Sequence, residues 1–166
     1  MIDLSRKLKN FGPLEFLVIS SLAYVIIMLI WTASTRSAVV QKANDIKFNH
    51  KTVVEFINNE VNECSSNENG KTAWGENCNS TWTSSNIVKY ILDNFKLNNP
   101  YKIEKPLIQT SQDPRIQAEG KAGQSTDKGI IFVSESNFES EAGSEWVIGT
   151  CVKSPCVAAG NNELVS

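Results

Sequence analysis

Two hydrophobic patterns follow one another along the chain. Between Glu15 and Arg36 no residue carries a charge, and Phe16, Leu17, Val18, Ile19, Leu22, Val25, Ile26, Ile27, Met28, Leu29 and Ile30 fall on every side of a helix. A helix of 20 such residues is about 30 Å long, the thickness of a bilayer core. From Arg36 the pattern becomes one-sided. Val39, Ala43, Ile46, Val53, Ile57 and Val61 follow three- and four-residue steps, interrupted by Asn49 and His50, and neither Gly nor Pro occurs before Cys64. The spacing predicts one helix from Pro13 to about Cys64, roughly 75 Å long. Ser65, Ser66, Asn67, Asn69 and Gly70 then stop it.

A second, short helix is predicted where Ile87, Val88, Ile91, Leu92 and Phe95 recur at helical spacing. Thr83-Ser84-Ser85 offers its N-cap, and Asn98-Asn99-Pro100 closes it. After Pro100 the period shortens. Strands are expected at Tyr101–Ile108, Gly129–Val133, Trp146–Cys151 and Val157–Ala159, with Ser111–Lys128 and Ser134–Ser144 as polar connections. Long helix, short helix, then a small antiparallel sheet is an α+β layout.

Charge assigns a direction to the apolar segment. Arg6, Lys7 and Lys9 precede it, against Asp3 alone, so the N-terminus is expected inside and the polar part outside. The chain then divides into residues 1–10, a basic start; 11–35, a transmembrane helix; and 36–166, an extracytoplasmic domain that includes the rest of the helix. Ala33 and Ser34 would suit a cleaved secretory signal, but the uncharged run exceeds a usual signal core and continues as helix, which favours a retained anchor.

Composition mostly excludes. The 166 residues carry 16 Lys+Arg against 18 Asp+Glu and show no basic stripe, so no nucleic-acid partner is expected. His50 is the only histidine and is expected to be solvated or domain-facing; no Gly-x-Ser-x-Gly elbow or Gly-rich phosphate loop exists, so no catalytic residue and no cofactor are assigned. Glu135, Glu139, Glu141 and Glu145 read as a solvated loop, and the spacing of Asp113, Glu119 and Asp127 compels no calcium site. Asn79-Ser80-Thr81 matches a glycosylation sequon. Trp74 and Trp82 flank Cys78 and are expected to pack.

All four cysteines lie beyond the apolar segment, which suits an oxidising compartment. Four allow three pairings. The local ones, Cys64 with Cys78 and Cys151 with Cys156, are favoured because each closes a short loop with turn residues inside it. A zinc site is disfavoured, since Cys-x4-Cys with one distant histidine lacks the usual paired spacing, and no metal is assigned.

One acid stands at the front of the apolar run, in Phe11-Gly12-Pro13-Leu14-Glu15-Phe16-Leu17-Val18-Ile19. Two readings stay open for Glu15. It reaches headgroup water at the membrane edge, or it meets a positive partner, which a free amino group at Phe11 would supply. This stretch resembles the N-terminus of type IV pilins and the related pseudopilins, where a short basic leader precedes a mature Phe and a Glu four residues later opens an apolar helix. Residues 1–10 resemble the leader, with cleavage between Asn10 and Phe11; the family's leader ends in Gly where this one has Asn10, and the Pro common midway in pilin helices is absent. The close match covers Phe11 to about Ser37, and Asn99-Pro100-Tyr101 is similar to a segment that follows the helices in the family.

The resemblance implies a structural, non-enzymatic subunit of a helical homo-oligomeric filament, with Phe11 N-methylated and paired with Glu15 of a neighbouring copy. It implies a bacterial inner-membrane location before assembly and an extracellular pilus afterwards, and as partners a prepilin peptidase and the pilus assembly machinery. The alternatives are a periplasmic pseudopilin of a type II secretion-like system, and a single-pass anchored periplasmic binding domain that does not polymerise.

Overall fold

The structure, a computed structural model, describes residues 12–119, 128–134 and 147–165. The predicted leader, Asn10, Phe11, Asp127, Trp146 and the four glutamates between Glu135 and Glu145 lie outside these residues. Contacts divide the chain into two units, one up to Val40 and one from Gln41.

Helix α1 (Pro13–Ser66) runs for 54 residues. Pro13 opens it where a missing N–H costs nothing, and nothing between Leu14 and Ser66 breaks it. Within the first unit every large apolar side chain from Leu14 to Trp31 is exposed. Within the second unit α1 has a buried stripe: Ala43, Ile46, Asn49, His50, Val53, Ile57 and Cys64. Asn49 and His50 therefore do not interrupt the stripe but belong to it. Val39 is 40% exposed and falls outside it.

Helix α2 (Ser84–Asn94) buries Ile87, Val88 and Ile91, and packs on the sheet with them. The sheet has the order β1 (Ile108–Ser111), β2 (Ile131–Ser134), β3 (Ile148–Cys151), β4 (Asn162–Val165). Ile108, Ile131, Val133, Ile148 and Val152 share one core with the α1 stripe and α2.

Three expectations about the sheet are corrected. The first strand begins at Ile108, because Lys102–Lys105 forms a turn, Pro106 carries no donor and Ile103 is 90% exposed. β1 pairs with β2 in parallel, Ile108 opposite Ile131, so the sheet is mixed and not purely antiparallel. The connection between them crosses over, as a parallel pair requires, and it contains helix α3 (Pro114–Glu119) in a segment expected to be loop. Asp113 caps that helix by accepting from Arg115 N–H at 3.0 Å and Ile116 N–H at 3.2 Å. Finally, Val157–Ala159 is turn, and the last strand lies further on at Asn162–Val165. The Ala158 and Asn161 amides donate to Pro155 and Ala158 carbonyls, and Gly160 takes φ 77° to turn the chain into β4.

α3 packs on β3. Gly149 permits this approach, since a Cβ there would lie 2.5 Å from the Pro114 carbonyl oxygen.

Candidate functional site

The apolar half of α1 is built to face something other than water. Its hydroxyls are turned inward: Ser20 donates to Leu17 O, Ser21 to Val18 O, Thr32 to Leu29 O, and Thr35 to Trp31 O and Thr32 O, all between 2.8 and 3.1 Å. These four hydroxyls are thus satisfied within the helix, as a lipid or dry helix-packed environment favours. Leu14, Leu17 and Trp31 are 75%, 66% and 68% exposed. The segment is long and apolar enough to cross a membrane and is compatible with membrane anchoring.

Glu15 sits at the third helical position. Its Oε2 accepts from the Gly12 N–H at 3.0 Å, the return half of a capping box. A carboxylate in the first helical turn also meets the positive end of the helix dipole. The position of Phe11, immediately before Gly12, lies outside the described residues.

In the second unit the cysteines form two disulfides, Cys64–Cys78 and Cys151–Cys156. The first joins the end of α1 to the loop that follows, beside Trp82 and Trp74, whose rings meet edge to face at 5.3 Å. The second closes the turn between β3 and β4. Asn79 and Thr81 of the sequon are exposed. Asp113 spends a carboxylate oxygen on capping α3, as described above.

Two polar arrangements, around half-buried Glu76 and buried Asn99, were not assigned roles from the sequence. Glu76, inside the Cys64–Cys78 loop, accepts from Trp74 Nε1 at 2.8 Å, Thr83 Oγ1 at 2.9 Å, Thr83 N–H at 3.1 Å and Asn86 Nδ2 at 2.8 Å. Thr83 is the N-cap residue of α2 but makes no side-chain cap bond, and a carboxylate seven residues earlier in the same connection holds the start of the helix. Asn99 is 2% exposed; its Oδ1 accepts from Tyr101 N–H at 2.9 Å and Lys102 N–H at 3.3 Å, and its Nδ2 donates to Lys128 O at 3.3 Å. Tyr101 in turn donates its hydroxyl to Val152 O at 2.8 Å. Burial raises the Tyr101 phenol above its usual range.

His50, 3% exposed, leaves Nε2 without a hydrogen-bond partner among the described residues. Burial lowers its pKa to about 4, against a smaller raising effect of Glu163. It is domain-facing. Glu163 is held by Lys47 at 2.7 Å. Of these polar features the sequence singled out only the Asn99-Pro100-Tyr101 tripeptide.

No family model, curated protein or solved structure matches the chain.

Proposed function

We propose that the chain is a structural subunit of a type IV pilus-like filament, anchored in the membrane by the first half of α1 and polymerising through that same half. The observation that carries the reading is the combination on one helix: an uncharged run exposed on all sides, a single acid at its front, and a continuation whose one buried stripe belongs to a disulfide-bonded α+β domain. A membrane anchor alone needs only the run. The acid at a fixed place in front of it has a further use in a filament, where helices pack with no water to hydrate charge and one stagger brings each carboxylate to a neighbour's amino terminus. The Phe11 amine is the group proposed to meet Glu15, after removal of residues 1–10.

A second reading, a single-pass anchored domain that stays monomeric, is favoured by one observation. Glu15 already has a partner in its own chain, the Gly12 N–H. The capping bond uses Oε2, leaving Oε1 for a second partner.

Mass spectrometry of the protein from its native membrane separates the two readings. A mature N-terminus at Phe11 and recovery of the chain in sheared filaments are the expected results. An intact Met1 start together with a monomer in detergent would overturn the filament reading. Filaments confined to the periplasm would shift it to a secretion pseudopilus.

A further inference from the structure

The three residues after Cys78 stand at the surface between two buried anchors. Cys78, held in its disulfide to Cys64, and Trp82 are each 4% exposed. Between them Asn79 and Thr81 are exposed and Ser80 is half-buried. The backbone there is a tight turn fixed on a single acceptor. The Asn77 carbonyl receives Ser80 N–H at 3.1 Å, Ser80 Oγ at 2.7 Å and Trp82 Nε1 at 3.0 Å.

Asn79 and Thr81 contribute no side chain to that network. Among the described residues, neither the Asn79 amide nor the Thr81 hydroxyl has a hydrogen-bond partner. Asparagine is common in turns because its side chain bonds the nearby backbone. Asn79 makes no such bond, so turn formation does not account for its side chain. Both groups are open to a second molecule, on a backbone that the disulfide and the Trp82 indole hold still.

No other asparagine in the sequence has Ser or Thr two places further on. This spacing is the acceptor signal for an N-linked glycan, which needs an accessible amide, a hydroxyl two residues later and a surface position for a bulky polar group. The turn after Cys78 meets all three. The two disulfides add an independent argument, since they suit the oxidising, extracytoplasmic side on which such glycans are attached.

We propose that Asn79 is the attachment site of an N-linked oligosaccharide. Its Nδ2 attacks the anomeric carbon of a sugar carried on a polyprenyl diphosphate. The bond from that carbon to the diphosphate oxygen breaks, and a carbon–nitrogen bond forms. The lipid diphosphate leaves with the electron pair, and the proton lost from Nδ2 passes to a base of the transferase. Thr81 supplies the hydroxyl that the transferase recognises. Ser80, whose hydroxyl is already bonded to Asn77, is not required. The site is independent of whether the chain polymerises.

The test is glycopeptide mass spectrometry of the full chain extracted from its native membrane, with fragmentation that keeps the sugar on its residue. A glycan mass on Asn79 is expected. It should disappear in Asn79→Gln and in Thr81→Val, and persist in Thr81→Ser and Ser80→Ala. The substituted side chains are exposed and unbonded, apart from that of Ser80, and intact Cys64–Cys78 pairing in each variant excludes misfolding as the cause of a loss. Asn79 bare in all the wild-type protein recovered would overturn the site, whether the disulfides are found intact or reduced. So would a sugar located on the hydroxyl of Ser80, Thr81 or Thr83, or a glycan on Asn79 that survives Thr81→Val at wild-type occupancy.

Discussion

The backbone of Gly129 lies against the side chain of Asn99 so closely that a Cβ on the glycine would sit 2.5 Å from Asn99 Oδ1 and 3.0 Å from the Tyr101 ring. Gly129 also has φ 82°, which L side chains rarely adopt. This contact joins the segment after α2 to the start of β2. Gly129→Ala is expected to destabilise the domain by about 3 kcal/mol, from backbone strain together with a clash against a buried, fully engaged amide. Asn99→Ala is expected to cost about 2–4 kcal/mol, because it orphans two N–H donors and the Lys128 carbonyl. Denaturant unfolding in detergent reads both. A loss under 1 kcal/mol in each variant would show that the clasp is not needed to hold the sheet to the helices.

Glu76 performs a capping role from outside the helix it caps. Removing its carboxylate leaves the Trp74 indole and the Thr83 and Asn86 donors without their acceptor. Glu76→Ala is expected to cost about 2–3 kcal/mol, while Glu76→Gln, which keeps one acceptor oxygen, is expected to cost less. If the effect is local, hydrogen exchange should rise first at the amides of the opening turn of α2. Uniform acceleration across the domain would show instead that this loop and the sheet unfold as one.

These two features also mark where the sequence stopped being informative. Periodicity located α1 and α2 because their apolar spacing is a local property, and a run without Gly or Pro gives a helix its length. The parallel pairing of β1 with β2 was illegible, since strands of four residues carry no signal for direction and the crossover helix α3 has only six. Asp113-Pro114 is both a turn signal and a cap with Pro at the first helical position, and its placement over Gly149 decides between them. Glu76 and Asn99 combine neighbours two or three residues away with partners as far as 10 and 29 residues away, which composition does not reveal. At the candidate site the order was reversed. The uncharged run and Glu15 are fully legible, whereas the bond to Gly12 depends on a side-chain conformation.

His50 makes stability depend on pH in a definite direction. Its folded pKa, about 4, lies below the ordinary value of 6.5 because burial penalises the imidazolium. Between those values the unfolded chain binds the extra proton more readily than the folded one. The His50 contribution is therefore constant above pH 6.5, and stability falls as pH drops from 6.5 toward 4. The full loss amounts to about 3 kcal/mol by proton linkage. His50→Leu also removes the unpartnered Nε2, so it is expected to flatten this part of the profile without a large loss at pH 7. The check is the melting temperature at pH 7, 6, 5 and 4. A wild type and variant with parallel profiles would place the acid sensitivity elsewhere, with Glu163, whose charge acts on His50, and its partner Lys47 as candidates.

Glu15 offers the sharpest separation of membrane insertion from assembly. Insertion depends on apolar length, which Glu15→Val extends by one residue, so the variant should remain in the membrane fraction at wild-type level. Helix capping loses one exposed bond at the first turn, worth about 1 kcal/mol or less, which is too little to unfold the domain. Assembly, if the proposed pairing holds, loses the interaction that fixes axial register, and sheared filaments should fall below detection. Glu15→Asp keeps the charge but shortens the reach, so it is expected to assemble poorly and not at wild-type level. Electron microscopy and immunoblotting of sheared and membrane fractions give both readouts from one culture. Normal filaments from Glu15→Val would leave the carboxylate with no role beyond its Gly12 bond. The anchored, non-polymerising reading predicts something different again, no filaments from the wild type and no change in membrane yield in either variant.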